Sequence, residues 1–317
     1  MKRFIKGCFV TALILLVLGV GIVMAVALVG DKNKIAEAVY DATDGKVELR
    51  LNSWDDFGIH INGDWEGRYD INDADVFDDN HEVWTGNVAK TQINQGTVKQ
   101  LELEIGGNTL EIRESENEHY YIEQSGDGKL QAYEEDSILY VKAIVNNVEL
   151  GNRKDAKIIL YVPKKAALEK IYVDLGAGTI KASDLNGKEV ECDLGAGYLE
   201  WNALNADSAK INIAAGQAVV KDAVLGGLEV SLGAGDCEVQ GKLQGNVKVD
   251  CAAGNVSLEC VGKEKEFNYD LSCTVGNIEV GEIVVSDMNE EKKIDNNASK
   301  TMELNVSAGN IEVEFEG

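Results

Sequence analysis

A glycine recurs every 19 residues through the second half of the chain, and each time it ends a short stretch of alternating apolar residues. The five regular copies are IYVDLGAG, VECDLGAG, AKINIAAG, LEVSLGAG and VKVDCAAG, and their final glycines are Gly178, Gly197, Gly216, Gly235 and Gly254. Two looser copies end at Gly276 and Gly309. A fixed interval of about 20 residues is typical of a solenoid, in which each repeat stacks on its neighbours to bury a continuous core.

Each copy divides into two strands, one on either side of its glycine. Apolar residues occupy the positions three, five and seven before the glycine, and the positions two and four after it. Alternation of period two places these side chains on one face of a strand, so they predict the interior. We therefore predict an all-β fold over residues 96–317, a single-stranded parallel β-helix or β-solenoid with 19-residue rungs. Residues 97–168 are interpreted as the irregular start of the stack, and residues 285–300 as a polar loop.

The recurring glycine predicts a sharp turn with positive φ. Glycine adopts that conformation without steric cost, and asparagine is the next most tolerant residue. An earlier copy, LEIGGNTL, aligns Asn108 with the turn glycine. On this basis Gly197→Val is expected to be costly and Gly216→Asn milder. A nucleotide-binding G-x-G-x-x-G is not indicated, because the third glycine is absent at the required place.

The outward positions of the same strands predict two columns of polar side chains. Six residues before the glycine, the regular copies read Tyr172, Glu191, Lys210, Glu229 and Lys248. Stacking in register places each of these about 4.8 Å from the next, so that charges of opposite sign become neighbours over most of the column. Four residues before the glycine, Asp174 and Asp193 become neighbours of the same sign, and this pair is a candidate cation site.

An apolar segment near the N-terminus predicts a membrane anchor. Residues 8–29 are 22 consecutive uncharged positions, which span about 33 Å as a helix and exceed the bilayer core of about 30 Å. Lys2, Arg3 and Lys6 precede the segment, so the N-terminus is expected in the cytoplasm and the remainder outside it. Residues 1–30 are accordingly a cytoplasmic tip with a single-pass anchor. The alternative is a signal peptide cleaved after Ala25-Val26-Ala27.

Residues 31–95 are interpreted as a juxtamembrane helix followed by an acidic linker region. The helix is expected over residues 32–43. An EF-hand loop starting at Asp70 fails, because Ala74 replaces an oxygen ligand and Asp75 stands where glycine is needed. A looser metal site remains open, with three candidate ligands: Asp70, Asp73 and Asp75. The linker also carries three aromatic residues that are candidate platforms for a sugar: Trp54, Trp65 and Trp84.

The net charge of -25 excludes some partners and favours others. Phosphate repulsion makes nucleic acid an unsuitable partner, whereas cations and basic proteins are compatible with this surface. The three histidines all precede the regular repeats, and none has a serine or cysteine nucleophile motif nearby. The central rungs carry no loop insertion of the kind that walls a catalytic groove. We therefore predict that the chain is not an enzyme and uses no cofactor.

Four cysteines fall on apolar columns of the repeats: Cys192, Cys237, Cys251 and Cys273. Buried thiols behave as small hydrophobic groups, and these are interpreted as core residues. A zinc site is not indicated, since no C-x-x-C is present. Cys251 and Cys273 share a column in what the chain order suggests are successive rungs, so the spacing also allows a disulfide between them.

The repeats resemble a bacterial family of β-strand-repeat domains that carries the label "putative adhesin". The resemblance rests on KIILYVP at residues 157–163, on IYVDLG from Ile171 and on the repeated glycine turns, and it covers roughly residues 95–317. It implies a cell-envelope protein in which a membrane helix precedes the repeats. The family pattern names no catalytic residue, so no site is carried over.

Three functions remain open at this point. The first is a non-catalytic cell-envelope protein that presents its solenoid outside the cytoplasm for adhesion or contact with another protein. The second is a module that binds a cell-wall glycan or a cation. The third, implied only by the family resemblance, is an accessory component of an envelope-stress regulatory system.

The proposed topology predicts that protease added to intact cells degrades residues 31–317 while the anchor stays in the membrane. The reason is that the long apolar segment and its basic flank keep only the N-terminal tip inside. Sequencing the N-terminus of the mature protein provides the second measurement. A mature chain that starts near Leu28 would show that the segment is a cleaved signal peptide.

Overall fold

The computed structural model describes residues 47–53, 56–61, 77–94, 96–145, 156–286 and 289–317. The chain divides into two compact units, Met1–Val76 and Phe77–Gly317. In the first unit, β1 (Val47–Ser53) and β2 (Asp56–Ile61) form an antiparallel pair. The predicted anchor, the helix expected over residues 32–43, and the candidates Trp54, Trp65, Asp70, Asp73 and Asp75 lie outside the described residues. None of the described residues belongs to a helix suited to crossing a membrane.

The second unit is built from strands, with one 3-10 turn at Glu264–Glu266 among its described residues. Its strands are β3 (Trp84–Thr85), β4 (Val88–Gln92), β5 (Gln100–Ser115), β6 (Tyr121–Ser125), β7 (Gly128–Glu135), β8 (Ile138–Val145), β9 (Lys157–Pro163), β10 (Leu168–Ser183), β11 (Gly187–Leu194), β12 (Tyr198–Asn202), β13 (Asn205–Ala206), β14 (Ser208–Ile213), β15 (Gln217–Leu225), β16 (Leu228–Leu243), β17 (Val247–Val261), β18 (Phe267–Cys273), β19 (Asn277–Val280), β20 (Ile283–Val285), β21 (Glu290–Ile294), β22 (Lys300–Val306) and β23 (Asn310–Glu316). The all-β prediction is confirmed.

The regular repeats pair in parallel at the interval that the sequence shows. Ile171 faces Val190, Val190 faces Ala209, and the series continues through Leu228 to Val247. A one-residue slip would turn the apolar side chains of a strand outward, so the alternating pattern sets this register. The strands before the turn glycines form one sheet surface, called the first face below, and the strands after them form the second face.

The apolar columns of both faces point inward and form one continuous core. Leu103, Ile171, Leu199 and Val230 are fully buried within it. Trp201 is the largest of the fully buried side chains, and its Nε1 donates a hydrogen bond to the carbonyl oxygen of Leu185 at 3.1 Å. That bond satisfies the one polar atom of the indole, since a buried donor without a partner would cost about 1–3 kcal/mol.

Antiparallel strands close both ends of the stack. At one end β7 pairs with β8, and β6 pairs with β9; at the other, β21 pairs with β18, and β20 pairs with β19. Residues 285–300 were expected to be a polar loop, and this is wrong in part, because they contain β21. Its sequence, EEKKI, places charges on the outermost strand, which discourages pairing with another chain.

The last two rungs of the chain stack in the reverse of their chain order. Val306 of β22 faces Cys251 on one side and Cys273 on the other. The two cysteines are therefore separated by two strand spacings, about 9.6 Å, which is beyond the reach of a disulfide. The expectation that they occupy successive rungs is wrong. All five described cysteines are free and buried. Burial was predicted for four of them, Cys192, Cys237, Cys251 and Cys273, and Cys260 is the fifth.

The predicted charge column on the first face is confirmed. Glu191 faces Lys210, Lys210 faces Glu229, and Glu229 faces Lys248. The Nζ atom of Lys210 lies 3.9 Å from Glu191 Oε1. The alternation extends beyond the regular rungs, where Lys248 Nζ lies 2.9 Å from Glu303 Oε1. Exposed pairs of this kind contribute about 0–1 kcal/mol each, so their main effect is to favour one register.

Close contact between rungs, more than positive φ, explains the glycine column. Within the column only Gly178, Gly235 and Gly276 have positive φ. A Cβ atom on Gly216 would instead collide with the carbonyl oxygen of Gly197, and one on Gly254 with that of Gly235. The expectation of positive φ at every turn is therefore wrong. At six of the seven turn glycines the backbone of an adjacent rung occupies the space that a Cβ atom would need, and at Gly197 the Leu175 side chain occupies it.

The same contact removes the expected advantage of asparagine. Asn108 occupies the first position of the column without positive φ, which is found instead at Gly107 (φ 93). Asn108 therefore gives no support for asparagine at Gly216, where the carbonyl oxygen of Gly197 already fills the space that a Cβ atom would need.

We predict that Gly216→Ala destabilises the domain by about 1–3 kcal/mol, because the new methyl group forces the rungs apart. Gly227→Ala is the matched control, since a Cβ there would meet only the carbonyl oxygen of Asn246, at 3.7 Å. That control is expected to be neutral or slightly stabilising. Chemical denaturation of the two variants measures the difference. Equal losses would mean that the contact between rungs does not determine the column.

Candidate functional site

A group of tyrosine and carboxylate side chains lies on the first face near the N-terminal end of the stack. In its outward column, Glu102 of β5 faces Tyr140 of β8 on one side and Tyr172 of β10 on the other. Parallel pairing therefore places a carboxylate between two phenol rings. The Tyr140 ring also stacks on Tyr133 with centroids 4.9 Å apart, which holds it in place.

The neighbouring outward column brings three carboxylates together. Glu104 faces Asp174, and Asp174 faces Asp193, while Lys142 flanks Glu104 on its other side. The predicted neighbours Asp174 and Asp193 are thus adjacent in the structure. We call the six residues of the two columns the tyrosine–carboxylate patch: Glu102, Glu104, Tyr140, Tyr172, Asp174 and Asp193.

The carboxylates of the patch differ in how well they are satisfied. Asp193 accepts hydrogen bonds from the Tyr172 hydroxyl at 3.0 Å and from Asn212 Nδ2 at 2.6 Å. Glu104 Oε1 is buried without a hydrogen-bond partner, and the nearest ammonium, Lys142 Nζ, lies 3.6 Å away. Among the described residues, no cation lies within ion-pair distance of Asp174.

Burial makes two of these carboxyl groups hard to ionise. Glu104 is 7% exposed and Asp174 is 8% exposed. Burial, opposed in part by Lys142, raises the pKa of Glu104 to about 7. Burial and the neighbouring charge of Asp193 raise the pKa of Asp174 to about 6. The patch therefore carries fewer charges below neutral pH than its composition implies.

The patch lacks the arrangement of a metal centre. Within the part of the chain that the structure describes, no group of three or more His, Cys, Asp or Glu side chains is placed to hold a metal ion. Asp174 and Asp193 are side by side but do not complete such a group.

The sequence identified the carboxylates of the patch in part and missed its aromatic partner Tyr140. The signal was present, because aligning Leu139 and Val141 with the apolar column of β5 places Tyr140 beside Glu102. Trp84, the one described member of the predicted sugar platforms, is half-buried and packs against the core.

The second face carries a different electrostatic pattern in its C-terminal half. Six outward carboxylates belong to β16, β17, β19 and β23, and we call them the acidic face: Asp236, Glu238, Glu259, Glu279, Glu312 and Glu314. Like charges are direct neighbours, since Glu259 faces Glu314 and Glu279 faces Glu312. Among the described residues, only Glu238 of this face forms an ion pair, with Lys221 Nζ at 3.6 Å.

A groove of ≈ 660 Å³ at the other end of the second face is close to neutral. Each of its cations lies beside a carboxylate, in the pairs Arg113 with Glu111, Lys164 with Glu114, and Lys181 with Glu200. The three cations of the groove are therefore all paired within it.

The Toastrack DUF4097 family model matches residues 98–314. The chain belongs to this family. Among curated proteins, none matches the sequence. The matched region holds the whole acidic face and every residue of the tyrosine–carboxylate patch, so both features lie within the Toastrack domain.

Solved structures that align with this Toastrack chain carry descriptions of adhesion or lipid binding. A "putative cell adhesion protein" of Clostridium sporogenes is 14% identical, with a TM-score of 0.35, and the alignment covers 74% of this chain and 100% of that one. A "putative adhesin" of Bacteroides fragilis is 12% identical, with a TM-score of 0.40 and coverage of 73% and 97%. A "putative lipid binding protein" of Parabacteroides distasonis is 13% identical, with a TM-score of 0.40 and coverage of 74% and 97%. None of these descriptions names an enzyme.

The raised pKa of Glu104 gives a pH dependence with a defined sign. The folded state holds the proton up to about pH 7, whereas the ordinary pKa is 4.5, so stability falls as pH rises across that interval. Glu104→Gln removes this titration. We predict that, relative to the wild-type protein, the variant gains about 1–3 kcal/mol in free energy of unfolding between the two ends of the interval.

The comparison across pH isolates the titration, because a change in packing that does not depend on pH shifts the free energy of unfolding equally at both ends of the interval. Glu312→Gln is the matched control, because it removes a carboxylate from an exposed position on the other face. Urea denaturation at several pH values gives the measurement. A constant difference between Glu104→Gln and wild type would contradict the assigned titration.

Proposed function

We propose that the chain is a non-catalytic cell-envelope protein that presents its β-solenoid outside the cytoplasm for contact with a basic protein partner. Residues 8–29 anchor it as a single-pass membrane protein, with the N-terminus in the cytoplasm. The solenoid is a parallel β-helix of 19-residue rungs, closed at its ends by antiparallel strands. The acidic face is the observation that carries the proposal.

Two properties of the acidic face support a role in contact. Glu259 lies directly opposite Glu314, and Glu279 opposite Glu312, which costs folding energy that the alternating charges in the column from Glu191 to Lys248 avoid. Glu279, Glu312 and Glu314 are exposed side chains on strands. A partner protein that carries lysine or arginine side chains along an extended segment would complement the acidic face. The attraction between the opposite charges would also speed association.

A glycan partner is the competing proposal. Sugar binding generally uses exposed aromatic rings as stacking platforms, and the acidic face contains none. The tyrosines that are brought together lie on the first face, so glycan binding would depend on a different set of residues.

We predict that the full-length protein binds a lysine-rich peptide through the acidic face and that salt weakens the binding. The test variant replaces Glu259, Glu312 and Glu314 with glutamine. The control variant has the same net charge, with Glu189, Glu229 and Glu291 of the first face replaced by glutamine. Calorimetric titration should show loss of binding in the test variant and retention in the control.

Equal loss in both variants would show that net charge alone attracts the peptide, and would contradict a docking face. Binding of purified cell-wall polysaccharide, unaffected by the test substitutions, would favour the glycan proposal instead.

A further inference from the structure

The tyrosine–carboxylate patch contains two carboxyl groups, those of Glu104 and Asp174, that the described residues satisfy only in part. Glu104 is buried, and its Oε1 atom accepts no hydrogen bond. Asp174 is its direct neighbour, equally buried and without a described cation beside it. Burying a carboxylate without a hydrogen-bond partner is costly, so a group that supplies positive charge and donors at this position would stabilise the protein.

The aromatic rings of the patch restrict the kind of cation that fits. Tyr140 and Tyr172 lie on either side of Glu102, with their backbones about 9.6 Å apart. An ammonium group on a carbon stem gains both from the face of an aromatic ring and from the carboxylates next to it. A divalent metal ion would gain from the carboxylates alone, and their arrangement does not form a metal centre.

The chain itself shows how a lysine ammonium fits such surroundings. Lys142 Nζ lies 3.6 Å from Glu104 Oε1 and 5.9 Å from the centroid of the Tyr140 ring. On the second face, Lys90 Nζ lies 3.9 Å above the centroid of Tyr161. Lys142 meets only one end of the patch, so the position between Asp174 and Tyr172 has no cation from a described residue.

We propose that the tyrosine–carboxylate patch binds an organic ammonium group, as carried by a lysine side chain or an amino sugar. Asp174 and Glu104 supply the negative charge, and the rings of Tyr140 and Tyr172 contact the alkyl stem. The site lies on the first face and does not depend on the acidic face, so it goes beyond the contact function proposed above.

Binding at this site increases with pH. Lys142 of β8 and Asp193 of β11 directly flank Glu104 and Asp174. The other charged and titratable groups on the surrounding strands are Tyr133 of β7, Tyr140 of β8, Glu102 of β5, Lys170 and Tyr172 of β10, Glu191 of β11, and Lys210 of β14. Burial raises the pKa of Tyr133, Tyr140 and Tyr172, so these phenols stay neutral while the two carboxyl groups ionise. Because Glu104 and Asp174 ionise between about pH 6 and about pH 7, the ammonium group should bind more tightly above that interval than below it.

Equilibrium dialysis of the full-length protein against Nα-acetyl-lysine methylamide and against glucosamine tests the proposal. The neutral probes Nα-acetyl-norleucine methylamide and N-acetylglucosamine are the controls. We expect saturable binding of at least one amine, and about tenfold weaker binding to Asp174→Asn and to Tyr140→Leu. Preference for the lysine amide would identify a protein source of the ammonium group, and preference for glucosamine a glycan source.

A fold control accompanies each variant, because a residue in the patch also contributes to packing. Urea denaturation of Asp174→Asn should show that the domain remains folded, and Glu104→Gln provides a second variant of the same site. Glu312→Gln on the acidic face should bind the amines as the wild-type protein does.

Three outcomes would overturn the proposal. The first is equal binding of the neutral probes. The second is the same loss of affinity in Glu312→Gln as in Asp174→Asn. The third is calcium binding that depends on Asp174 while neither amine binds, which would make the patch a metal site.

Discussion

The structure depends on the close stacking of one backbone directly on the next along the glycine column. Rungs about 4.8 Å apart leave no room for a side chain where the chain turns from the first face to the second. The carbonyl oxygen of Gly197 lies where a Cβ atom of Gly216 would be, and that of Gly235 lies where a Cβ atom of Gly254 would be. Because this contact aligns every turn, the apolar side chains before and after it align as well.

Alignment of the interior also fixes what the outside presents. Each outward position becomes a column, so a choice of residue in one rung acts on the rungs above and below it. On the first face, alternating lysine and glutamate give attractive neighbours from Glu191 onward. On the second face, Glu259 and Glu314 are neighbours with the same sign. The two faces are thus built on one framework, but the charge column of the first face pairs opposite charges, whereas the acidic face places like charges side by side.

The regular rungs could be predicted from the sequence, and the ends could not. Period-two alternation around Gly178 to Gly254 identified the strands, their inward residues and the neighbours Asp174 and Asp193. The placement of β22 between β17 and β18 was missed, because chain order gives no information about which rung stacks on which once the 19-residue interval is lost. The position of Tyr140 beside Glu102 was missed because no glycine turn of the repeat follows β8 in the sequence, although Leu139 and Val141 alternate as Leu101 and Leu103 do.

The sequence by itself determined the class of fold, the register of the central rungs and the burial of the cysteines, because these follow from local alternation and a constant repeat length. Only the tertiary structure decided why the turn residue is glycine, since a clash with the rung beneath cannot be seen in one copy of the repeat. It also decided that Glu104 and Asp174 are buried although they point outward. Their protonation depends on which strands and side chains surround them, and that is set by how distant segments pack together.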